Sequence, residues 1–247
     1  MKFIVFFLSL VMFLQSEEIR VSADNWMPYN GTPGDKKEGF VIDVLKKIFN
    51  SEKITVTYDV KPWARAVQMG LDGEVDAVIG ALTSDAEGFI FPEETIGNLA
   101  NDFFVPVDSD WKYKDINSLI GKKIGIIKDY SYGEEFDKYI ENNPKSFDTV
   151  GGENAIDLNI KKLAINRIDL LIDTKVVITF RAKELGMLDK IKYVGDDGKL
   201  DPMYVAFSPK NPNSKKYAKM FDDGVRKLRS SGELGKILEE YGLSDWK

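Results

Sequence analysis

The sequence patterns in the two halves of the chain predict the same order of elements: strand, helix, strand, helix, strand. The strand patterns of the first half are IRVSA, ITVTYDV and VDAVIGAL, and those of the second half are KKIGIIK, DTV and DLLID. Amphipathic patterns of helical period separate them, such as GFVIDVLKKIFN and NAIDLNIKKLAIN. A continuous apolar strand such as VDAVIGAL is typical of a parallel sheet covered on both faces. The alternation therefore predicts two α/β lobes, each a doubly wound, mainly parallel sheet.

Two further segments link these halves. NDFFVPVDSDWKYKDINSL lies between them and LDPMYVAFSPKNPNSKKY follows the second, and each sets a strand-like core beside proline and polar residues. Such segments are typical of chain crossings between lobes. The C-terminal tail holds two helix patterns that most simply pack back on the first lobe. We therefore expect residues 17–105 and 204–247 to form lobe 1 and residues 106–203 to form lobe 2, with two hinge crossings.

The N-terminal segment MKFIVFFLSLVMFLQS has one lysine, an apolar run over residues 3–14 and a small polar end. This pattern predicts a secretory signal peptide over residues 1–16. The run is shorter than the about 20 residues of a membrane-spanning helix, although an uncleaved signal would act as an anchor. Since the chain has no cysteine, a lipoprotein is excluded. We expect a soluble periplasmic protein that begins at Glu17.

Absent residue types exclude several chemistries. The 247-residue chain contains no histidine and no cysteine, so it cannot form the usual zinc sites, a Ser-His-Asp triad or a cysteine nucleophile. Its net charge of -6 comes without basic blocks, which argues against nucleic-acid binding. The charge therefore points to a small molecule or a protein as the partner, and we expect a monomer without a catalytic site, a cofactor or a metal.

Candidate ligand contacts follow from the predicted sheets. In open parallel sheets, ligands bind outside the carboxyl ends of the strands. The apolar strand DLLID stops on Asp173, residues 82–84 end VDAVIGAL, and residues 129–133 follow KKIGIIK. If the two lobes face each other, these three segments line one cleft.

The order of several segments resembles the bacterial family 3 extracellular solute-binding proteins of the polar amino-acid type. The segments that carry the resemblance are WMPYN, EGFVIDVLKKIF, GEVDAVIGAL, SLIGKKIGIIKDYSYGEEFDKYI, KLAINRIDLLID and SSGELGKILEEYG. The resemblance covers nearly the whole chain after the signal. It implies a two-lobed, Venus-flytrap protein that closes on a small polar solute and delivers it to the transmembrane permease of an ABC transporter.

The resemblance assigns Asp173 to the ligand's α-ammonium group. The alternative is that Asp173 only caps the helix that starts near Lys175, since aspartate is a preferred N-cap residue, although Thr174 can supply the cap instead.

The segment DYSYGEE is the second candidate contact. Ser131 and Glu134 have capping-box spacing, so we expect a helix to start at Ser131 and to offer free N–H groups to an anion. The resemblance implies that this loop holds part of a ligand carboxylate. Gly133 permits close approach, and Tyr130 and Tyr132 are candidate walls.

In the first lobe, Trp26 and Tyr29 follow the first strand and can stack on a ligand cation or on its carbon atoms. Trp26 fits the lobe's core equally well, whereas Tyr29 is the better pocket candidate. Leu82 and Thr83, at the end of VDAVIGAL, complete this set.

One departure from the family pattern concerns the ligand carboxylate. Amino-acid-binding relatives usually place an arginine shortly after the threonine that ends this strand, but Asp85 and Glu87 stand in that neighbourhood here. The absence of this arginine argues against the binding of an ordinary α-amino acid. Arg65 is one substitute, because it lies on the first turn of a helix at the cleft end of the sheet, and its alternative is a solvated helix face. Trp63 fits either the cleft or the core.

Three functions compete at this point. The first is capture of an amino acid or a related zwitterion or amine for an ABC transporter. The second is a free ligand-sensing protein that docks on a membrane receptor. The third is a periplasmic dehydratase on the same fold, which would need a carboxylic acid poised by burial, with Asp173 or Glu153 as candidates.

Overall fold

The computed structural model describes residues 17–247. The expected signal peptide over residues 1–16 lies outside the described residues. Of the helices within residues 17–247, none is long and apolar enough to cross a membrane.

Ten strands and seven α-helices are described in this part of the chain. The strands are β1 (Glu17–Ala23), β2 (Ile54–Val60), β3 (Ala77–Ala81), β4 (Gly97–Leu99), β5 (Asp102–Pro106), β6 (Ile124–Ile127), β7 (Phe147–Val150), β8 (Leu170–Asp173), β9 (Ile191–Asp196) and β10 (Asp201–Phe207). The helices are α1 (Phe40–Ser51), α2 (Trp63–Asp72), α3 (Glu134–Asn142), α4 (Ala155–Ala164), α5 (Lys175–Glu184), α6 (Ser214–Ser230) and α7 (Glu233–Glu240). Short 3-10 helices cover Ile116–Leu119, Pro144–Ser146 and Leu188–Lys190.

The strands form two five-stranded sheets, one in each lobe. The first sheet has the order β2-β1-β3-β10-β4, and the second has the order β7-β6-β8-β5-β9. In each sheet the first three strands are parallel and the last two run antiparallel to their neighbours. The predicted two-lobed α/β fold with mainly parallel sheets is therefore confirmed.

The chain crosses between the lobes at two places, each slightly earlier than the sequence predicts. Strand β5 pairs with β8 and β9 in the second sheet, so the first crossing lies at residues 100–101 and not at residue 105. Strand β10 pairs with β3 and β4, so the second crossing lies at residues 197–200 and not at residue 203. The physical reason is the same in both cases: the apolar runs DFFVP and MYVAF are strands inside the sheets, so the chain crosses in the short segments before them.

Helices cover both faces of each sheet. Helices α1, α6 and α7 pack together on one face of the first sheet, and α2 buries Trp63, Ala66 and Met69 on the other. In the second lobe, α4 and α5 cover one face, and Phe136 of α3 packs on the other. Because both faces are covered, the strand ends at the sheet edges are the part of each lobe that is open to a ligand.

Candidate functional site

The carboxyl ends of the parallel strands in the two lobes face each other and touch. Trp26, after β1, donates a hydrogen bond from its indole Nε1 to Asp173 Oδ1 at the end of β8, at 3.1 Å. The hydroxyl of Tyr130, after β6, donates to the carboxylate of Asp24. Both bonds join one lobe to the other, so the structure is a closed arrangement of the lobes.

A small cavity lies at this contact. Its volume is about 30 Å³, close to the share of one water molecule in liquid water. Its lining residues are Asp24, Trp26, Trp63, Ile79, Gly80, Leu82, Asp85, Leu99, Tyr130 and Ser131. An amino-acid-sized solute therefore requires the lobes to stand further apart than they do here.

Asp173 is the most deeply placed carboxyl group at the contact. It is 5% exposed and lies opposite Asp102 in the pairing of β8 with β5. Its Oδ1 accepts from the Thr174 N–H at 2.7 Å and from Trp26, whereas its Oδ2 has no hydrogen-bond partner among residues 17–247. Burial raises the pKa of Asp173 from 3.8 to about 7, because the charged form loses its hydration.

Three further carboxyl groups surround Asp173 and the cavity. Burial raises the pKa of Asp24, Asp85 and Asp102 to about 6 in each case. The charges of Asp24 and Asp102 also contribute to the raised pKa of Asp173. The site is thus a strongly acidic cleft in which hydrogen bonds and the charge of Lys175 only partly offset the cost of burying the ionised forms.

Helix α5 is capped without Asp173 taking the usual cap position. Thr174 is the N-cap residue, but its hydroxyl makes no cap bond. The Lys175 N–H donates instead to Asp102 Oδ2 at 2.6 Å. Asp173 accepts from the adjacent Thr174 N–H and from Trp26, both through Oδ1, so its Oδ2 takes no part in capping the helix.

The loop before α3 differs from the expected capping box. The helix begins at Glu134 with Gly133 as its N-cap residue, at φ 85°, a left-handed conformation that favours glycine. Ser131 donates its hydroxyl to Asp137 Oδ2 at 2.6 Å, and the Tyr132 N–H donates to Asp137 Oδ1 at 2.8 Å. The box does not form because the helix starts at Glu134, so Ser131 is not its N-cap residue, and the Ser131 hydroxyl oxygen accepts from the Gly133 N–H instead.

The two tyrosines of this loop have different surroundings. Tyr130 lines the cavity, between Asp24 and Trp63. Tyr132 is buried in the core of the second lobe, where its hydroxyl accepts from the Ile127 N–H at 2.8 Å. Tyr132 therefore supports the loop from behind.

Trp26 and Tyr29 stack with ring centroids 4.6 Å apart, and only Trp26 lines the cavity. Tyr29 lies beneath it, packed on Phe40 and close to Gly97, where any Cβ would approach the Tyr29 ring to 3.2 Å. The structure thus gives Trp26 the wall position that the sequence favours for Tyr29. Trp26 also has a core function as the ring that covers Tyr29.

Arg65 is not brought to the cavity. Its side chain is 53% exposed, and its guanidinium lies 3.1 Å from Glu74. Trp63 occupies the inward face of this first helical turn and lines the cavity, so Arg65, two residues on, points away from it. Leu82 lines the cavity, whereas Thr83 is exposed beside it.

The rival catalytic candidate Glu153 is exposed in the turn before α4. It therefore lacks the burial that would poise it as a general acid.

Sequence reasoning missed Asp24 and Asp102 as members of the site. It noted Asp85 only because this residue stands where relatives place an arginine. Asp24 directly follows β1, as Asp173 ends β8, so the rule of strand carboxyl ends was sufficient to find it. Asp102 carries no such signal, because it begins an antiparallel strand whose pairing with β8 depends on the tertiary fold.

Two α/β lobes, two crossings and a cleft between strand ends define a two-lobed ligand-binding protein. The family model of the bacterial extracellular solute-binding proteins, family 3, matches residues 19–244, and the chain belongs to this family. A search of curated protein sequences returned no match.

Solved structures share the fold at low sequence identity. A Streptococcus mutans structure, from work on glutathione import via GshT and a cystine ABC importer, is 19% identical, with 94% of this chain and 98% of that chain covered and a TM-score of 0.78. A histidine kinase sensor domain similar to periplasmic binding proteins is 17% identical, with 92% and 98% covered and a TM-score of 0.76. The GluR0 ligand-binding core of Nostoc punctiforme, in complex with L-glutamate, is 18% identical, with 91% and 99% covered and a TM-score of 0.71. These likenesses establish the fold.

Proposed function

We propose that this protein captures a small amine-bearing solute between its lobes and presents the closed form to a membrane partner. The observation that carries the proposal is the buried Asp173, whose Oδ2 has no partner within residues 17–247 at the point where the lobes meet. A carboxylate in this state is costly by itself and is stabilised by a ligand cation. The GluR0 ligand-binding core, solved in complex with L-glutamate, is consistent with a solute that carries an amino group.

The aromatic side chains support the same function. Trp26, Trp63 and Tyr130 line the cavity and present rings on which a cation or a carbon chain can rest. A ligand that bridges these walls favours the closed lobes by its greater affinity for them, and the partner reads the closed form.

The partner we propose is the transmembrane permease of an ABC transporter. The protein would act as a monomer in the periplasm, after removal of residues 1–16 as a signal peptide. N-terminal sequencing of protein recovered from the periplasmic fraction tests this location, with Glu17 as the expected first residue. An unprocessed N-terminus in the membrane fraction would contradict it.

A sensory function is the second candidate, because the same fold occurs in a histidine kinase sensor domain. In that case the closed form would dock on a receptor. Co-purification of the ligand-loaded protein with either a permease or a receptor distinguishes the two.

The test of ligand capture is a thermal-shift screen of residues 17–247 against amino acids, amines, dicarboxylates and aromatic acids. A solute at about a hundred times its Kd stabilises a protein by about 2.7 kcal/mol, which raises the Tm of a chain of this size by several degrees. At least one class should produce this shift, and Asp173→Ala should abolish it. The proposal fails if every class leaves the Tm unchanged.

A further inference from the structure

The groups that would bind a ligand carboxylate in the second lobe are already bound by the chain itself. Asp137 accepts from the Tyr132 N–H and from the Ser131 hydroxyl, at 2.8 and 2.6 Å. The Gly133 N–H donates in turn to the Ser131 hydroxyl oxygen at 3.2 Å. The donors of this loop thus face an internal carboxylate, and a second anion there would be repelled by the first.

The same arrangement recurs at the other strand ends. Asp85 Oδ1 accepts from the Leu82 N–H at 2.9 Å, at the end of β3. Asp102 accepts from the Lys175 N–H at 2.6 Å, at the start of α5. Internal aspartates therefore bind backbone N–H groups in both lobes.

Basic side chains of residues 17–247 do not line the cavity, although the charge of Lys175 partly offsets that of Asp102. Among the described residues that line it, none is lysine or arginine. Lys128, in the groove outside, is exposed and packs beside Gly151, and the Lys175 Nζ lies 4.2 Å above the ring of Tyr193. Arg65 pairs with Glu74 on the surface.

The buried carboxyl group and the aromatic rings of this cleft suit a cation. Asp173 is only 5% exposed, and its Oδ2 lacks any partner within residues 17–247. No group of three or more acidic residues in this part of the chain is arranged to hold a metal ion. The aromatic walls Trp26, Trp63 and Tyr130 suit an organic cation better than a hydrated ion.

We infer that the ligand is an organic cation without a carboxylate, a small amine or guanidine, held by Asp173 and the surrounding aspartates. This inference rests on the proposed capture of a solute and specifies its chemical class. It accounts for the replacement of the family's carboxylate-binding arginine by the acidic segment that contains Asp85. An α-amino acid would bring its carboxylate against these aspartates.

Matched pairs of compounds that differ only by the carboxylate test the inference. The pairs are phenethylamine with phenylalanine, agmatine with arginine, and cadaverine with lysine. Isothermal titration calorimetry at pH 8 should give a Kd at least about tenfold lower for the amine in the best-binding pair, because like charges brought together at a closed interface oppose binding strongly.

A substitution of one of the aspartates tests whether they cause the preference for the amine. Asp85→Asn keeps an oxygen for the Leu82 N–H but removes one negative charge. The ratio of the Kd of the amino acid to the Kd of its amine should therefore fall by about tenfold. Asp110→Asn, which removes an exposed charge from a loop of the second lobe, should leave the preference unchanged.

The outcomes separate the ligand class from the function. If phenylalanine, arginine or lysine binds as tightly as its amine and closes the lobes, the ligand class is wrong and solute capture stands. If neither member of any pair binds but a solute that carries a carboxylate binds in the thermal-shift screen, the ligand class is also wrong, whereas binding of another amine without a carboxylate supports it. If no solute binds in either experiment, both proposals fail.

Discussion

Asp173→Asn should stabilise the ligand-free protein while it weakens ligand binding. The pKa of Asp173 is raised from 3.8 to about 7, an increase of about 3. An increase of 1 in a pKa corresponds to about 1.4 kcal/mol of free energy. The ionised group therefore destabilises the closed structure by at most about 4 kcal/mol. Part of this cost is relieved when the lobes separate and water reaches the carboxylate, so we expect about 1–2 kcal/mol in the free energy of unfolding.

The sign of the pH dependence follows from the raised pKa. In the folded protein Asp173 keeps its proton up to about pH 7, whereas in the unfolded chain it loses the proton near 3.8, so stability falls as pH rises between these values. Asparagine resembles the protonated form at every pH. The variant should match the natural protein near pH 4 and exceed its Tm by about 2–8 °C near pH 8.

Differential scanning calorimetry at both pH values measures this effect, with Asp110→Asn as the control for loss of a surface charge. Groups whose pKa is lowered, such as Glu94 and Asp76, act at lower pH and are common to both proteins. A variant that is less stable at pH 8, or equally stabilised at pH 4 and pH 8, would refute the account of Asp173 as an uncompensated buried charge.

Four further outcomes are expected. Trp26→Phe keeps the aromatic wall but removes the indole N–H that donates to Asp173. Solution scattering should therefore show the equilibrium between open and closed lobes shifted toward the open form by about 1–3 kcal/mol. Tyr130→Phe removes the donor to Asp24, and stopped-flow fluorescence should record a ligand dissociation rate increased by about tenfold. Arg65→Ala should leave the ligand Kd within about twofold and change the free energy of unfolding by less than about 1 kcal/mol, because its ion pair is exposed. A complete loss of binding would show that Arg65 contacts the ligand after all. Calorimetric titration should show amine affinity rising from about pH 5 to about pH 8, since Asp24 and Asp173 must lose their protons to pair with a cation, and an affinity that falls over this range would contradict it.

The architecture was readable from the sequence because hydrophobic periodicity is a local signal. The amphipathic face predicted for GFVIDVLKKIFN is buried in α1, and the apolar runs of β3 and β8 are central strands of their sheets. The rule that ligands bind at strand carboxyl ends brought Asp173, Trp26, Leu82 and Tyr130 to one place.

The remaining features depend on competition between side chains that sequence spacing does not encode. Ser131 and Glu134 have the spacing of a capping box, but the helix starts at Glu134 and the Ser131 hydroxyl donates to Asp137. The sequence favours Tyr29 over Trp26 as a wall of the cavity, and only the packing against Phe40 assigns Tyr29 to the core. The register of the antiparallel strand β5, which places Asp102 beside Asp173, is likewise a tertiary property.

Solution X-ray scattering of residues 17–247 at pH 8, with and without the solute that gives the largest thermal shift, tests the central claim most directly. Ionised Asp24, Asp85, Asp102 and Asp173 should hold the ligand-free lobes apart at this pH, and the solute should close them, so the radius of gyration should fall on binding. An unchanged radius of gyration at saturating solute would contradict capture between the lobes.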